Sequence, residues 1–583
     1  MRKKIVSMFL ATALVIAVGM ETFPKVATAD EEAMVKIAVD EQLDDINILT
    51  ITEYSDTLDW IYKMTYDTLI TLDEDGNFAP GLAEEWQVVV LDEGGGENSF
   101  DPNLLEFEDW PVEWTTSYPP GWEMLQGYDY SEDVRGGLEF CIGDSRAGIY
   151  IKLRRDLPSF FGEVTSGTIY DMLVAAYSAP SDTLFHKQWA PFAYSNSEED
   201  VGEDDFVPQG IEILGEYEFM LYPKFESYGK GWIDILYSLT EPISGIFNPN
   251  TASTEDDYVY GSGAYIFEEF NATEGYVQLT PNAGWRLGAV PTQDVKFVFI
   301  PDEVARWTTF GNNEVDVVVT PPNAYNEDLE GVTWATEGNP LYLIMNKENW
   351  VLSSEENRKA IAKIIPNDSE ESEGGMLTGD IQNEYVNNTI SPLFNHTLSY
   401  MANGIWTKDA RLRDLLEIES EQLNRQIRGQ SFTILYYGDE LYDRVVEELQ
   451  WQFENEGITL VEDKATSKAD FERKKNAGAY DFMLKEIEVS NLNSAYHELY
   501  GKISDDTDYM LRGAMYAANL ETYAYLHAQV QIKLHNDASY INLGWQKKII
   551  SNKSGVSGIT FPTGGFSPTG DVSRIDFRGV TKI

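Results

Sequence analysis

The chain has 583 residues, 98 of them acidic and 42 basic, for a formal net charge of −56. A length of that size calls for about two or three domains, and a hydrophobic content of 43% with 13% aromatics excludes a disordered chain. So large an acidic excess repels nucleic acid and anionic membrane surfaces, and the single cysteine, Cys141, excludes an internal disulfide.

In chain order, Arg2, Lys3 and Lys4 precede an apolar run from Ile5 to Val18 that is too short to span a bilayer comfortably. Ala27-Thr28-Ala29 then offers a small-residue cleavage site, so residues 1–29 read as an export leader. Its removal makes the net charge three units more negative. Val35 to Val39 reads as a strand, and Asp56 to Ile70 as a helix running into a strand. Asp73, Asp75 and Asn77 suggest a calcium loop, but the later ligands and the terminal Glu of such a loop are missing, so Asp75-Gly76 reads as a hairpin turn. From about 91 to 146 the chain is rich in Gly, Pro, acids and Trp and reads as an insertion, with Trp110, Trp114 and Trp122 packing an irregular loop or stacking on a solute.

Between Tyr258 and Val319 the order is strand, turn, strand, loop, strand, short helix, strand. Tyr265–Phe270 and Tyr276–Thr280 form a hairpin across NATEG, Val295–Ile300 is a buried strand, and Val304, Trp307 and Phe310 share one helical face. LYLIMN, after Asn339-Pro340, is a strand that crosses to a new lobe. There, Phe432–Tyr437, a helix bearing Leu441, Val445, Leu449 and Phe453, Ile458–Val461, a second helix and Tyr480–Leu484 make β-α-β-α-β, which right-handed crossovers turn into a parallel sheet. Ligands of open sheets sit beyond the carboxyl ends of the strands. Tyr436 and Tyr437 after one strand, and Glu486 to Asn491 after another, are candidate ligand contacts on that ground. A long helix (508–535) precedes the strands YINLGWQ and KKIIS, with Trp545 lining either cleft or core. The five histidines show no metal-ligand spacing, and no carboxylate pair sits in a catalytic frame, so neither metal, cofactor nor enzymatic activity is expected.

Several ordered segments carry a resemblance. Gly261-Ser-Gly-Ala-Tyr265, Asn282-Ala-Gly-Trp285, Ile300-Pro-Asp302 and Asn313-Glu-Val-Asp316 stand in the order GTGPY, N-x-x-Y/W, IPD, GEIDV. Asp75-Gly76, Pro80, Leu82-Ala83-Glu84 and Trp86-Gln-Val88 match a second block, Leu153-Arg154 to Asp171-Met172 a third, and Asn357 to Ala362 a fourth. The series resembles the family 5 extracellular solute-binding proteins, the oligopeptide, dipeptide and nickel receptors of ABC importers.

The resemblance implies an α/β, two-lobed periplasmic-binding-protein-like fold of the large three-subdomain type II form, with mixed sheets and a hinge. It implies a first lobe from 30–72, 232–340 and 541–583, an extra subdomain at 73–231, and a second lobe at 341–540, with crossings near 339–342 and 538–542. The implied function is capture of a peptide or similar small solute in the interlobe cleft, for delivery to the permease subunits of an ABC importer, in the periplasm or at the cell surface. The membrane is met only through the importer, and no lipid-anchoring cysteine follows the leader. Glu53 and Tyr54 lie where relatives line the cleft. Peptide-binding relatives place an Asp for the ligand's ammonium where this chain has Ser490, and a hydroxyl supplies no countercharge; Glu488, two residues earlier, is the substitute. An oligosaccharide receptor of the same fold, a sensor or scaffold without transport, and a carbohydrate-active enzyme remain open alternatives.

Overall fold

The computed structural model describes residues 34–53, 55–73, 78–91, 146–155, 158–159, 162–194, 207–224, 232–285, 287–289, 291–320, 332–365, 385–386, 425–438, 440–486, 511, 530, 537–561 and 574–582. The chain enters on β1 (Val35–Val39) and passes to α1 (Asp56–Thr65). Ser55 caps α1 by accepting from Leu58 N at 3.3 Å, and Asp56 and Asp59 occupy the first turn, where the helix dipole favours anions. β2 (Ile70–Leu72) and β3 (Phe78–Pro80) pair antiparallel with Leu72 opposite Phe78, and the expected turn at Asp75-Gly76 lies outside the described residues. β4 (Ala83–Leu91) and β5 (Arg146–Leu153) also pair antiparallel, with Leu91 opposite Arg146, so the 91–146 segment leaves and re-enters the fold at one place. The three tryptophans of that segment lie outside the described residues. After α2 (Ser166–Ser178), β6 (Ile211–Gly215) and β7 (Glu218–Leu221) complete a four-stranded sheet in the order β4-β5-β7-β6.

The main sheet is then assembled. β8 (Tyr265–Asn271) and β9 (Tyr276–Pro281) form the expected hairpin, and β10 (Val295–Phe299) follows. Gly261 and Gly263 turn the chain hard against the end of α1, where a Cβ on either would overlap the Tyr66 ring or the Thr65 backbone. Between them Ser262 Oγ accepts from Asp67 N at 3.0 Å and donates to Ile246 O at 3.1 Å. α3 (Glu303–Gly311) is capped by Asp302, whose Oδ1 accepts from Ala305 N at 2.7 Å. The face that α3 buries differs from the expected one: Arg306 and Phe310 are buried, whereas Val304 is 72% exposed. Arg306 Nη1 donates to the carbonyls of Ile300 and Pro301 at 2.6 and 2.8 Å, which fixes the helix with Val304 turned outward. Asn313, with φ 62°, reverses the chain into β11 (Val317–Thr320).

β12 (Val332–Met345) begins before Pro340 and runs through it, and α4 (Glu355–Ala362) follows. β13 (Ser431–Tyr436), α5 (Glu440–Asn455), β14 (Thr459–Lys464), α6 (Lys468–Asn476) and β15 (Phe482–Glu486) realise the β-α-β-α-β reading, with β13 parallel to both β14 and β15. Gly457, with φ 76°, ends the α5 region. The segment read as two strands is one, β16 (Tyr540–Asn552), while the 508–535 helix lies almost wholly outside the described residues. The strand order is β8-β9-β10-β1-β11-β16-β12-β15-β13-β14, with Tyr385–Val386 added on β16. This is an α/β fold with mixed sheets.

Period-two alternation sorts the second lobe's side chains. Leu341, Leu343, Ile434, Phe482 and Leu484 face a core shared with Ile361, Leu449 and Phe453, and the intervening Tyr342, Ile344, Leu435 and Met483 join the larger core. The chain's last segment is bound to the first lobe: Phe577 packs edge-on to Trp60 at 5.5 Å, and Lys582 Nζ pairs with Asp316 at 3.1 Å. Among the described residues no helix is long and apolar enough to cross a membrane.

Candidate functional site

Strand register shows where the two lobes present their strand ends. In the first lobe β1 runs parallel to β10 and β11, and β11 pairs antiparallel with β16, Thr320 opposite Ile549. The carboxyl ends at Asp40, Ile300 and Thr320 therefore point along β12 towards the second lobe. There β15 pairs antiparallel with β12, Glu486 opposite Leu341, and β13 and β14 run parallel to it, so Tyr436, Lys464 and Glu486 point back towards the first lobe. The two sets of ends are separated only by the crossing strands. On β12 the gap runs from Trp334, opposite Ile549, to Leu341, a spacing of roughly 20 Å at strand rise.

The crossing itself is irregular. Its register shifts between Thr336 and Pro340, where the missing proline N–H interrupts the ladder, and again between Leu341 and Tyr342. On β16 the passage occupies 544–548, a few residues beyond the expected 538–542. Trp545 lies at this crossing by its backbone pairing with Pro340 and Val386.

A charged floor stands at the first lobe's strand ends. Lys548, 9% exposed, puts Nζ 3.6 Å from Asp40 Oδ2 and 3.3 Å from Asp56 Oδ2, so the end of β1, the start of α1 and the crossing strand meet at one ammonium. Glu41 Oε2 accepts from Ser55 Oγ and from Thr57 N, the latter at 3.2 Å, which holds a further carboxylate at the amino end of α1. Arg306 lies beneath, its Nη2 3.4 Å from Thr320 Oγ1. Asp40 Oδ1 and Arg306 Nε are buried and have no hydrogen-bond partner among the described residues, an arrangement that calls for water or a bound group. Lys548→Met would remove the ammonium that Asp40 and Asp56 share. Because both carboxylates keep about a fifth of their exposure, the expected loss is about 2 kcal/mol, read as a lowered urea midpoint for the first lobe. An unchanged midpoint would show that water already screens the pair.

In the second lobe the two adjacent tyrosines diverge. Tyr436 is 1% exposed, and its hydroxyl lies 2.9 Å from Asp443 Oδ1 and 3.1 Å from Glu462 Oε2, with Lys464 Nζ 2.7 Å from Asp443. Burial, reinforced by both carboxylates, raises its pKa. Tyr436 thus joins α5 to β14 through its hydroxyl and is buried at the strand end. Tyr437 is 43% exposed and faces outward from the same strand end. Glu53 is exposed two residues before the α1 cap. Tyr54, Glu488, Ser490 and Asn491 lie outside the described residues. Asp40, Asp56, Arg306 and Lys548 were not singled out from sequence, although the carboxyl-end rule that drew attention to Tyr436 applies equally to Asp40 after VKIAV.

Comparison with known proteins follows this geometry. A family model described as bacterial extracellular solute-binding proteins, family 5 Middle, matches residues 182–496. A search of curated proteins by sequence finds no match. Among solved structures, the MppA periplasmic murein tripeptide binding protein in its unliganded open form aligns over 95% of this chain and 98% of its own, at 12% identity and TM-score 0.66. NikA from Brucella suis, in complex with Fe(III)-EDTA, aligns over 94% and 100%, at 15% identity and TM-score 0.60. The putative peptide binding protein AppA from Clostridium difficile aligns over 94% and 100%, at 14% identity and TM-score 0.59. At these identities the solved structures establish the shared architecture.

Proposed function

Since this chain belongs to the bacterial extracellular solute-binding proteins of family 5, we propose that it is the receptor of an ABC importer, holding a peptide or similar small solute between its lobes and passing it to the permease subunits. The observation that carries this reading is the opposed strand ends, Asp40, Ile300 and Thr320 on one side and Lys464 and Glu486 on the other, joined by two crossing strands. Two lobes connected in this way can rotate about the irregular stretch at Pro340 and enclose a solute while excluding water. Carboxylates outnumber cations at the floor, which suits a solute carrying an ammonium group, and the names of solved relatives include binders of a murein tripeptide and of a dipeptide, Met-Leu.

In this reading Glu53, Tyr54, Tyr437, Glu488, Ser490, Asn491 and Trp545 line the cleft, with Tyr436 as support from behind. The first lobe comprises 30–72, 232–340 and 541–583, the four-stranded sheet belongs to an extra subdomain at 73–231, and the second lobe spans 341–540. Residues 1–29 direct export, and no bond is made or broken in the captured solute. Mass spectrometry of the natively purified protein should reveal a co-purifying small solute, and adding that solute to stripped protein should reduce the radius of gyration in small-angle scattering. A single rigid particle whose radius is unchanged by the co-purified compound or by a peptide library would overturn the proposal.

A further inference from the structure

The first lobe holds a cavity of about 740 Å³ at the far end of α1 from the cleft. α1 carries Asp56 to the cleft floor in its first turn and Lys63 to the cavity in its last, about 10 Å along the helix axis. We propose that this cavity is a second ligand site, separate from the cleft, which takes a small carboxylate with an apolar body. Two cations on its wall have unused donors. Lys63 Nζ makes one hydrogen bond among the described residues, to Arg574 O at 2.8 Å. Arg578 directs Nε and Nη2 at Asp576, at 2.9 and 2.6 Å, and its Nη1 has no partner among the described residues. Carboxylates line the cavity too: Arg578 engages Asp576, Trp285 Nε1 lies 3.1 Å from Asp67, and Asp59, one turn back along α1, also acts on Lys63.

The cations also crowd one another. The Lys63 pKa is pushed down to about 8 by burial and by the charges of Arg578 and Arg574, against the pull of Asp576 and Asp59. An entering anion relieves that repulsion and supplies the missing acceptors. The remaining wall is apolar where it matters for a ligand body. Leu72, Leu287 and Phe561 line the space together with Trp285 and Tyr66, whose hydroxyl is taken up by Val259 O at 2.7 Å. The volume lies within the range of small-molecule sites, roughly 300–1,000 Å³.

Saturation-transfer NMR titration of the full chain with 3-phenylpropionate, with 3-phenylpropanol as the uncharged control, tests the site. Phenylpropionate should bind saturably and phenylpropanol at least about tenfold more weakly, the ratio expected for a lost charge-assisted hydrogen bond. Lys63→Met should weaken phenylpropionate by a similar factor, and Leu287→Trp, which keeps the ammonium but fills the cavity, should abolish binding. Lys548→Met, at the cleft floor, should leave the titration unchanged, which separates this site from the proposed transport site. Equal affinity for acid and alcohol, no saturable binding of the acid, or binding indifferent to both Lys63→Met and Leu287→Trp in folded variants would overturn the proposal.

Discussion

Arg358→Met should remove about 3–4 kcal/mol from the second lobe while leaving the first lobe near its wild-type stability. The Arg358 side chain is 4% exposed, and its guanidinium donates four hydrogen bonds to oxygens of the described residues. Nη1 donates to the carbonyls of Leu352 and Ser353 at 3.0 and 3.1 Å, Nε to Asp537 O at 3.0 Å, and Nη2 to Asp537 Oδ1 at 2.6 Å. One guanidinium thereby ties α4, the turn before it and the chain leading into β16. Methionine matches the length but leaves three carbonyls and a carboxylate without their donor. Lys347, 3.3 Å from Asp537, and Ser539 retain part of the countercharge, which places the loss below that of a fully orphaned buried ion. Arg358→Lys should recover less than half of it, since one ammonium cannot reach both groups of acceptors. Urea unfolding followed by hydrogen exchange in α5 and β13 measures the second lobe directly, and a loss under about 1 kcal/mol would contradict this account of Arg358.

Arg358 also explains why the family was legible in the sequence and the ligand contacts were not. The residues carrying the resemblance meet steric or hydrogen-bonding demands that few side chains satisfy. Gly261 and Gly263 are where a Cβ would strike α1, Asp302 caps α3, and Asn282 Nδ2 donates to Gly263 O at 2.8 Å while its Oδ1 accepts from Gly284 N at 3.0 Å. Such constraints act locally and leave a recognisable trace. The floor of the cleft has no such trace, because Asp40, Asp56 and Lys548 come from distant parts of the chain and meet only through the order β1-β11-β16. The same limit explains Tyr436: the carboxyl-end rule identifies a strand terminus, but not which of two neighbouring side chains turns inward. Helical periodicity correctly located α3 yet missed its rotation, since the buried face is set by an arginine reaching backbone carbonyls and not by the valine that hydropathy favours.

Asp67→Asn should stabilise the first lobe at pH 8 and have almost no effect at pH 4. Asp67 is buried, with Trp285 Nε1 3.2 and 3.1 Å from its two carboxylate oxygens. Burial pushes its carboxyl up to about 7, against the opposing pull of Arg578 and of the Trp285 hydrogen bond. An unfolded aspartate ionises near its ordinary value of 3.8. Between these limits the folded chain retains a proton that the unfolded chain has released. The stabilisation is therefore complete below pH 4, declines as pH rises towards 7 and is absent above it. The shift corresponds to about 4 kcal/mol across that window at 1.36 kcal/mol per unit, an upper bound for a group so buried. Asparagine is neutral throughout and keeps a carbonyl oxygen for Trp285, so the difference between variant and wild type should follow that curve even though the chain's many other carboxylates give both proteins a steep common background. Hydrogen exchange of α1 and β1 at pH 5 and pH 8 in moderate urea measures it; a variant equal to or less stable than wild type at pH 8 would mean that Asp67 stays charged when folded, with Arg578 compensating its burial.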